Sequence, residues 1–369
     1  MTAKQWLEQG VAVRGSWARL KACMQRALAG ESLTIGFLGG SITQGSLASD
    51  DKLCYAYRVF QWWQEKFPEA DFSYVNGGIG GTSSHYGGAR AQKDVLAYAP
   101  DVVIVDFSVN DEAERFFMET YEGVIRKLLA AESHPAIVIM NNVFYDDGHN
   151  AEDFHNSVGA YYGIPCISMK KAIYPMIGAG IYKAPELTPD NLHPNDLGHE
   201  YVADTICCFL DKVLADIDND EDEPVIVEAL TENAYENSCL YQKDDKVYTL
   251  DGFKADEALK ANMLDLYKNG FTASKMNDRI TFEIECSCLA VQYRKSVLHP
   301  VPKAKAVVDG DWQHPILLDG NFDEDWGDCL YLQTLIHHGE RKKHTLEITI
   351  SETHENDVRP FYLVAVIAS

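Results

Sequence analysis

The sequence predicts an α/β domain, three layers built on a parallel sheet, followed by a C-terminal β-sandwich or jelly-roll domain. Three observations predict it. The first part of the chain, to about residue 215, alternates short continuous apolar runs with amphipathic segments. An acidic run ending in proline then interrupts the pattern. Beyond it the hydrophobic period becomes mostly two. Continuous apolar strands separated by helices imply a parallel sheet covered on both faces. Period-two runs between turn residues imply antiparallel sheets with one buried face.

The strand candidates of the first part are LTIGFLG (33–39), FSYVNGG (72–78), DVVIVDF (101–107), AIVIMNN (136–142) and IPCIS (164–168), each bounded by Gly, Pro, Asn or Asp. Amphipathic segments lie between them at 55–67, 86–98, 112–131 and 151–162, with a last one over 197–215. The N-terminal MTAKQWLEQGVAVRGSWARLKACMQRALAG reads as an amphipathic helix. ADIDNDEDEP (215–224) reads as a solvated linker, which places the domains at 1–218 and 225–369. In the second domain KVYTL, RITFEIEC, CLAVQYRK, KAVVDG, HTLEITI and PFYLVAVIA are strand candidates, with turns at Asp309-Gly310 and Asp319-Gly320.

Composition narrows the function. The 369 residues exceed one ordinary core, and 46% hydrophobic with 24% charged residues is globular usage. A net charge of -24 repels phosphate backbones and anionic lipid, so neither nucleic acid nor a membrane is an expected partner. No stretch approaches the roughly 18 apolar residues of a membrane span. Arg14, Arg19 and Lys21 interrupt the N-terminus, so it lacks a signal-peptide core. Several of the nine cysteines sit in apolar runs (Cys166, Cys207, Cys208), which fits reduced structural thiols and a cytoplasmic protein. Cys286 and Cys288 share a strand face, but no second CxC or CxxC completes a zinc set.

Four segments carry chemistry, each where a predicted strand ends. LTIGFLGGSITQGS runs a buried strand into Gly39-Gly40-Ser41, placing a serine at the strand's carboxyl end, where open α/β sheets bind ligands. A P-loop is excluded because Ser46 stands where its lysine must be. Alone, Ser41 could simply cap a helix. In YVNGGIGGTSS, Gly77, Gly78, Gly80 and Gly81 leave backbone amides uncovered, as an oxyanion or phosphate requires. DVVIVDFSVND ends in Asn110, whose amide can donate to a developing oxyanion. LTPDNLHPND sets Asp190 three residues before His193 in a loop, a spacing that brings carboxylate to imidazole.

Taken in order, GGSIT, GGIGGTS, SVND and DNLHP resemble the four sequence blocks of the SGNH/GDSL hydrolases, over about residues 33–215. The sequence departs from the pattern twice: Gly40-Ser41 lies in GGSI rather than GDSL, and Ser108 replaces the usual glycine of the third block. The resemblance implies a flavodoxin-like catalytic domain with Ser41 as nucleophile, His193 as base and Asp190 orienting it. It also implies an oxyanion hole from the Ser41 and Gly81 N–H groups and the Asn110 amide. Gly80 is the alternative second donor, because that block aligns one residue either way. No metal or organic cofactor is implied. His85, His149 and His155 lie near Asp146, Asp147, Glu152 and Asp153 without metal-ligand spacing, and His199 reads as a structural neighbour.

An SGNH domain followed by a β-sandwich is similar to two-domain bacterial carbohydrate acetylesterases, most of all the acetyl-mannan esterases of carbohydrate esterase family seventeen. In these a domain like a carbohydrate-binding module helps close the substrate groove. The expectation is therefore deacetylation of β-mannan-type oligosaccharides, ahead of acetylated xylo-oligosaccharides. Trp326 and Trp312, in turn-like segments rich in Asp, Glu and Asn, are candidate sugar contacts; as core residues they would be buried. A lysophospholipase or thioesterase and a non-catalytic sugar-binding protein are the competing readings.

Overall fold

The computed structural model describes residues 2–224 and 227–369, in two compact units, Met1–Glu236 and Asn237–Ser369. The first unit contains a six-stranded sheet of β1 (Val11–Val13), β2 (Leu33–Gly39), β3 (Phe72–Gly78), β4 (Val102–Asp106), β5 (Ala136–Asn141) and β6 (Cys166–Ser168). Its order is β1-β6-β5-β4-β2-β3. All pairs are parallel except β1 with β6. β4 and β5 are buried along their whole length. This explains their unbroken apolar runs: both faces are covered, one cluster holding Ile104, Val138 and Phe209, the other Val105, Ile139 and Tyr121.

From β2 the chain steps to β3 on one side and then crosses to β4 on the other. This reversal opens a crevice at the carboxyl ends of β2 and β4, where such sheets bind ligands. Helices Tyr55–Lys66, Ser84–Asp94, Arg115–Leu129, Glu152–Tyr162 and Asp196–Ala215 fall on the amphipathic segments of the sequence.

Two expectations are corrected. The N-terminal segment is not one helix but a helix (Ala3–Leu7), strand β1 and a second helix (Ala18–Leu28). Gly15 interrupts it with φ +58°, and its Cα packs directly on the Ile164–Pro165 backbone, where a Cβ would lie 2.4 Å away. The acidic run after 215 is not a free linker. Lys21 pairs with Asp216 at 2.7 Å, Arg14 with Glu221 at 2.5 Å and Arg19 with Glu223 at 3.3 Å. Residues 227–236 also pack with the first unit, so the division lies at 236/237 rather than 218/225. The reason is Glu122, a buried carboxylate on the helix Arg115–Leu129 that needs donors. Leu230 and Thr231 supply theirs at 2.6 and 2.8 Å. Val225, the expected start of the second domain, lies outside the described residues.

The second unit is two antiparallel sheets. One contains Cys239–Tyr241, Lys254–Ala255, Phe271–Ala273, Leu289–Lys295, Cys329–Ile336 and Phe361–Ala368; the other Tyr248–Asp251, Arg279–Cys286, Lys303–Val308, Ile316–Asp319 and Lys342–Glu352. Alternation puts Ile280, Phe282 and Ile284 inward against Leu346, Ile348 and Leu363. Among the described residues the nine cysteines are unpaired, and no helix is long and apolar enough to cross a membrane.

Candidate active site

Ser41 opens a one-turn helix, Ser41–Gln44, straight off the end of β2. It is buried with its Oγ 2.8 Å from His193 Nε2, and His193 Nδ1 lies 2.6 Å from Asp190 Oδ2. The three expected side chains therefore form one continuous hydrogen-bonded relay. Asp190 and His193 belong to a single tight loop. Asp190 Oδ1 accepts the His193 N–H at 2.7 Å and the Leu192 N–H at 3.0 Å, while Asn191 takes the left-handed conformation at φ +66°. Partial burial pushes the Asp190 carboxyl up, but hydrogen bonds from the His193 ring, the His193 N–H and the Leu192 N–H outweigh it and hold it below its ordinary value. A carboxylate at Nδ1 favours the tautomer that leaves Nε2 free to accept from Ser41.

Ser49 ties the two loops together. Its N–H and Oγ donate to Asp196 at 2.8 and 2.6 Å, at the start of the helix that follows His193. His199, one turn on, accepts from the Tyr55 N–H at 3.3 Å through Nδ1, while its Nε2 lies 3.2 Å from the Ser46 carbonyl. It is a structural neighbour. Burial lowers its pKa to about 4, so it stays neutral.

The expected oxyanion donors are two backbone N–H groups and one side-chain amide. The Ser41 N–H is the first of a helical turn and has no i−4 carbonyl to bond. Asn110 crosses onto the nucleophile turn so closely that a Cβ at Gly40 would sit 2.0 Å from its Oδ1, so any larger residue there would have to displace the Asn110 amide. Between the two adjacent glycines the structure makes a choice. The Gly80 N–H donates to Gln44 Oε1 at 2.7 Å, whereas Gly81 stands at φ +68° with its N–H unengaged among the described residues. Gly81, not Gly80, has a donor to offer.

Ser108 answers its departure from the block pattern. Its φ is not positive, so glycine is not required, and its Oγ donates to Asp106 at 3.0 Å and the Asn142 carbonyl at 3.1 Å. Burial pushes the Asp106 carboxyl up against hydrogen bonds from Asn142 and Ser108. Asp111 accepts the Ser84 N–H at 2.8 Å and lies 3.1 Å from His155 Nε2.

Sequence reasoning missed two residues, Gln44 and Arg90. Arg90 is fully buried and donates to the carbonyls of Gly39 at 2.9 Å and Gly77 at 2.6 Å, pinning together the strand ends that feed the serine turn and the glycine loop. Its signal was an arginine amid Gly and Ala on a buried helix face, SHYGGARAQKD.

The three histidines weighed for a metal disperse. His155 bonds Asp111, and His85 packs edge-on against Phe116 and Tyr235. Only His149 stays with Asp146 and Asp147, in an exposed group. In the second unit Trp312 and Trp326 are 57% and 58% exposed, not core.

The model of the GDSL-like Lipase/Acylhydrolase family matches residues 37–201. A crystal structure of a two-domain esterase active on acetylated mannans is 50% identical, covers 98% of each chain and superposes with a TM-score of 0.96. One of such an esterase co-crystallised with mannopentaose is also 50% identical, covering 98% of this chain and 97% of that one at a TM-score of 0.94. An acetylxylan esterase of Geobacillus stearothermophilus is 25% identical over 197 residues, which is 45% of this chain and 89% of that protein. With half its residues shared along nearly the whole length of such an esterase, and the four blocks in place, the chain belongs to the GDSL-like lipase/acylhydrolase family, also called SGNH hydrolases.

Proposed function

We propose that this chain is a serine esterase that removes O-acetyl groups from acetylated β-mannan-type oligosaccharides. The observation that carries the reading is the Ser41–His193–Asp190 relay in a chain 50% identical, over 98% of its length, to an esterase active on acetylated mannans.

Ser41 Oγ attacks the acetyl carbonyl as His193 Nε2 takes its proton. The N–H groups of Ser41 and Gly81 and the Asn110 amide receive the oxyanion, each such donor being worth about 2.7–4 kcal/mol in the transition state. As the tetrahedral intermediate collapses, the bond to the sugar oxygen breaks and His193 returns the proton to that oxygen. Water then enters, gives its proton to His193 and attacks the acetyl-serine. Ser41 leaves reprotonated, and acetate departs. Asp190 stabilises the transient imidazolium throughout.

We read the second unit as a carbohydrate-binding module whose exposed Trp326 and Trp312 offer faces for sugar rings. Trp326→Ala, with an unchanged melting temperature, should lower deacetylation of oligosaccharides more than hydrolysis of an aryl acetate. The nine unpaired thiols support a cytoplasmic setting, which cell fractionation tests.

The decisive assay is acetate release from acetylated manno- and xylo-oligosaccharides, with mass spectrometry of the products, for the wild type and Ser41→Ala. Release from manno-oligosaccharides that Ser41→Ala abolishes is the expected result. Preference for xylo-oligosaccharides would move the substrate, and a broad acyl-chain profile on p-nitrophenyl esters would favour a lysophospholipase or thioesterase. Failure to react with a fluorophosphonate would make the chain a binding protein.

A further inference from the structure

We infer that the loop after β5, residues 143–150, is a sugar subsite of the enzyme proposed above. The open face of His149 stacks on a pyranose ring beside the acetylated residue, and the Asp146 and Asp147 carboxylates accept its hydroxyls.

Its place in the fold comes first. β5 runs parallel to β4, so the loop leaves the sheet at the same carboxyl edge as the turns carrying Ser41 and Asn110. It is fastened to both halves of the site. The Ala151 N–H donates at 2.8 Å to the carbonyl of Ser108, two residues before Asn110, and the Tyr145 N–H at 2.7 Å to that of Asn191, next to Asp190. A ring of bonds within the loop (Phe144 N–H to the His149 carbonyl at 3.1 Å, Gly148 N–H to the Phe144 carbonyl at 2.9 Å) closes it on the buried Tyr145. The loop is thus anchored both to the turn that leads to Asn110 and to the loop that carries Asp190.

Its surface comes second. His149 lies on Phe144 with ring centroids 4.0 Å apart and an interplanar angle of 11°. One imidazole face is therefore covered, and a side chain 60% exposed must leave the other open. Asp147 holds the ring in place, its Oδ1 accepting the His149 N–H at 2.9 Å and lying 2.5 Å from Nδ1. These bonds, the backbone one first, keep the Asp147 carboxyl below its ordinary value. An open aromatic face held by hydrogen bonds beside two carboxyl groups has the chemistry of a neutral sugar: axial C–H groups lie on the ring while hydroxyls donate at its rim. The chain's charge of -24 disfavours an anionic occupant. The same three side chains could instead close on a cation, since their ligand atoms lie within 4.8 Å of one another, and the test separates the two.

The test uses the full-length enzyme, an acetylated mannopentaose and p-nitrophenyl acetate, with His149→Ala and His149→Phe. The quantity read is the ratio of kcat/KM for the oligosaccharide to that for the aryl acetate. His149→Ala should lower this ratio about tenfold, equivalent to about 1.4 kcal/mol. His149→Phe, which keeps a flat face and loses every ligand atom, should restore it to within about twofold. A ratio unmoved in His149→Ala overturns the subsite, as does a His149→Phe variant as poor as the alanine. Loss of wild-type activity on chelation, restored by a divalent metal, overturns it in favour of a cation site. Failure of the wild type to release acetate from any acetylated oligosaccharide would sink the proposed function itself. Release that is indifferent to His149 sinks only the subsite.

Discussion

The turn carrying Ser41 and the loop carrying Asp190 and His193 meet across 2.8 Å, yet they are built from opposite materials. The serine turn is buried and non-local. It rests on Asn110 from the turn after β4, on the glycine loop after β3 through Gln44, and on Arg90 beneath both strand ends. The acid–base loop is local, a contact between residues three apart, with the Asp190 side chain 45% exposed. One half of the site is therefore part of the core, and the other is a partly exposed loop at a helix start, held from outside by the Tyr145 N–H and by Ser49. Geometry in the first half should be inseparable from stability, whereas the second half should lose chemistry without losing fold.

Asp190→Asn tests this contrast most severely. The asparagine oxygen can still accept the His193 and Leu192 N–H groups, so the loop should persist and the melting temperature stay within about 2 °C. Its amide would face the His193 ring with a donor and select the wrong tautomer, lowering kcat by about ten-thousandfold. A large drop in melting temperature would erase the distinction between the halves. Asn110→Ala, on the buried side, should lower kcat by about 10²–10³ with little change in KM, and should also reduce stability measurably by opening space above Gly40. Gln44→Met keeps the volume and removes the acceptor for Gly80, so the glycine loop should lose its fixed orientation. We expect kcat to fall about tenfold, or 1.4 kcal/mol, with KM within about twofold; an equal rise in KM would mean that Gln44 acts on binding rather than on the oxyanion.

The smallest effect at neutral pH, and the most specific, concerns His199. Its folded pKa, about 4, lies below the ordinary value of 6.5. The unfolded chain therefore binds a proton that the folded chain refuses as pH falls from 6.5 to 4, and stability declines across that window by up to about 3 kcal/mol. Nearby Asp196 opposes this, and Arg58 and His193 add to it. His199→Gln retains an acceptor for the Tyr55 N–H and a donor for the Ser46 carbonyl, and should flatten the decline. Urea unfolding at pH 7, 5.5 and 4.5 reads it, and parallel slopes for the two proteins would assign the pH dependence elsewhere.

The same contrast governs what could be read from the residues alone. Strands β2, β4, β5 and β6 were legible because burial on both faces leaves largely apolar runs, the partly exposed edge strand β3 because Asn76 and two glycines close it, and the four blocks because glycine and asparagine stand where those runs stop. Asp190 and His193 were legible for their spacing. β1 was not: three half-buried residues between two glycines show no period. Ile316–Asp319 and Cys329–Ile336 were overlooked in the second unit, since partly exposed strands with mixed side chains lack clean alternation. Gln44 and Arg90 were invisible for another reason. Their roles consist of bonds to backbone groups 36 and 51 positions away, and distance in the chain leaves no local mark.

That short strand β1 has a consequence for how the molecule behaves in company. A parallel sheet ending at β6 would present a fully buried, apolar strand with a row of open amides, which is a template for a neighbouring chain. β1 covers that row by pairing antiparallel through only three residues, with a register break between Val11 and Val13. Its own outer edge is too short and irregular to template another strand, and Arg14 follows it at once. β1 should thus keep β6 from pairing with a neighbouring chain, while Leu7 ahead of it adds to the core. A chain trimmed to begin at Ser16 should retain the relay at Ser41 and yet self-associate.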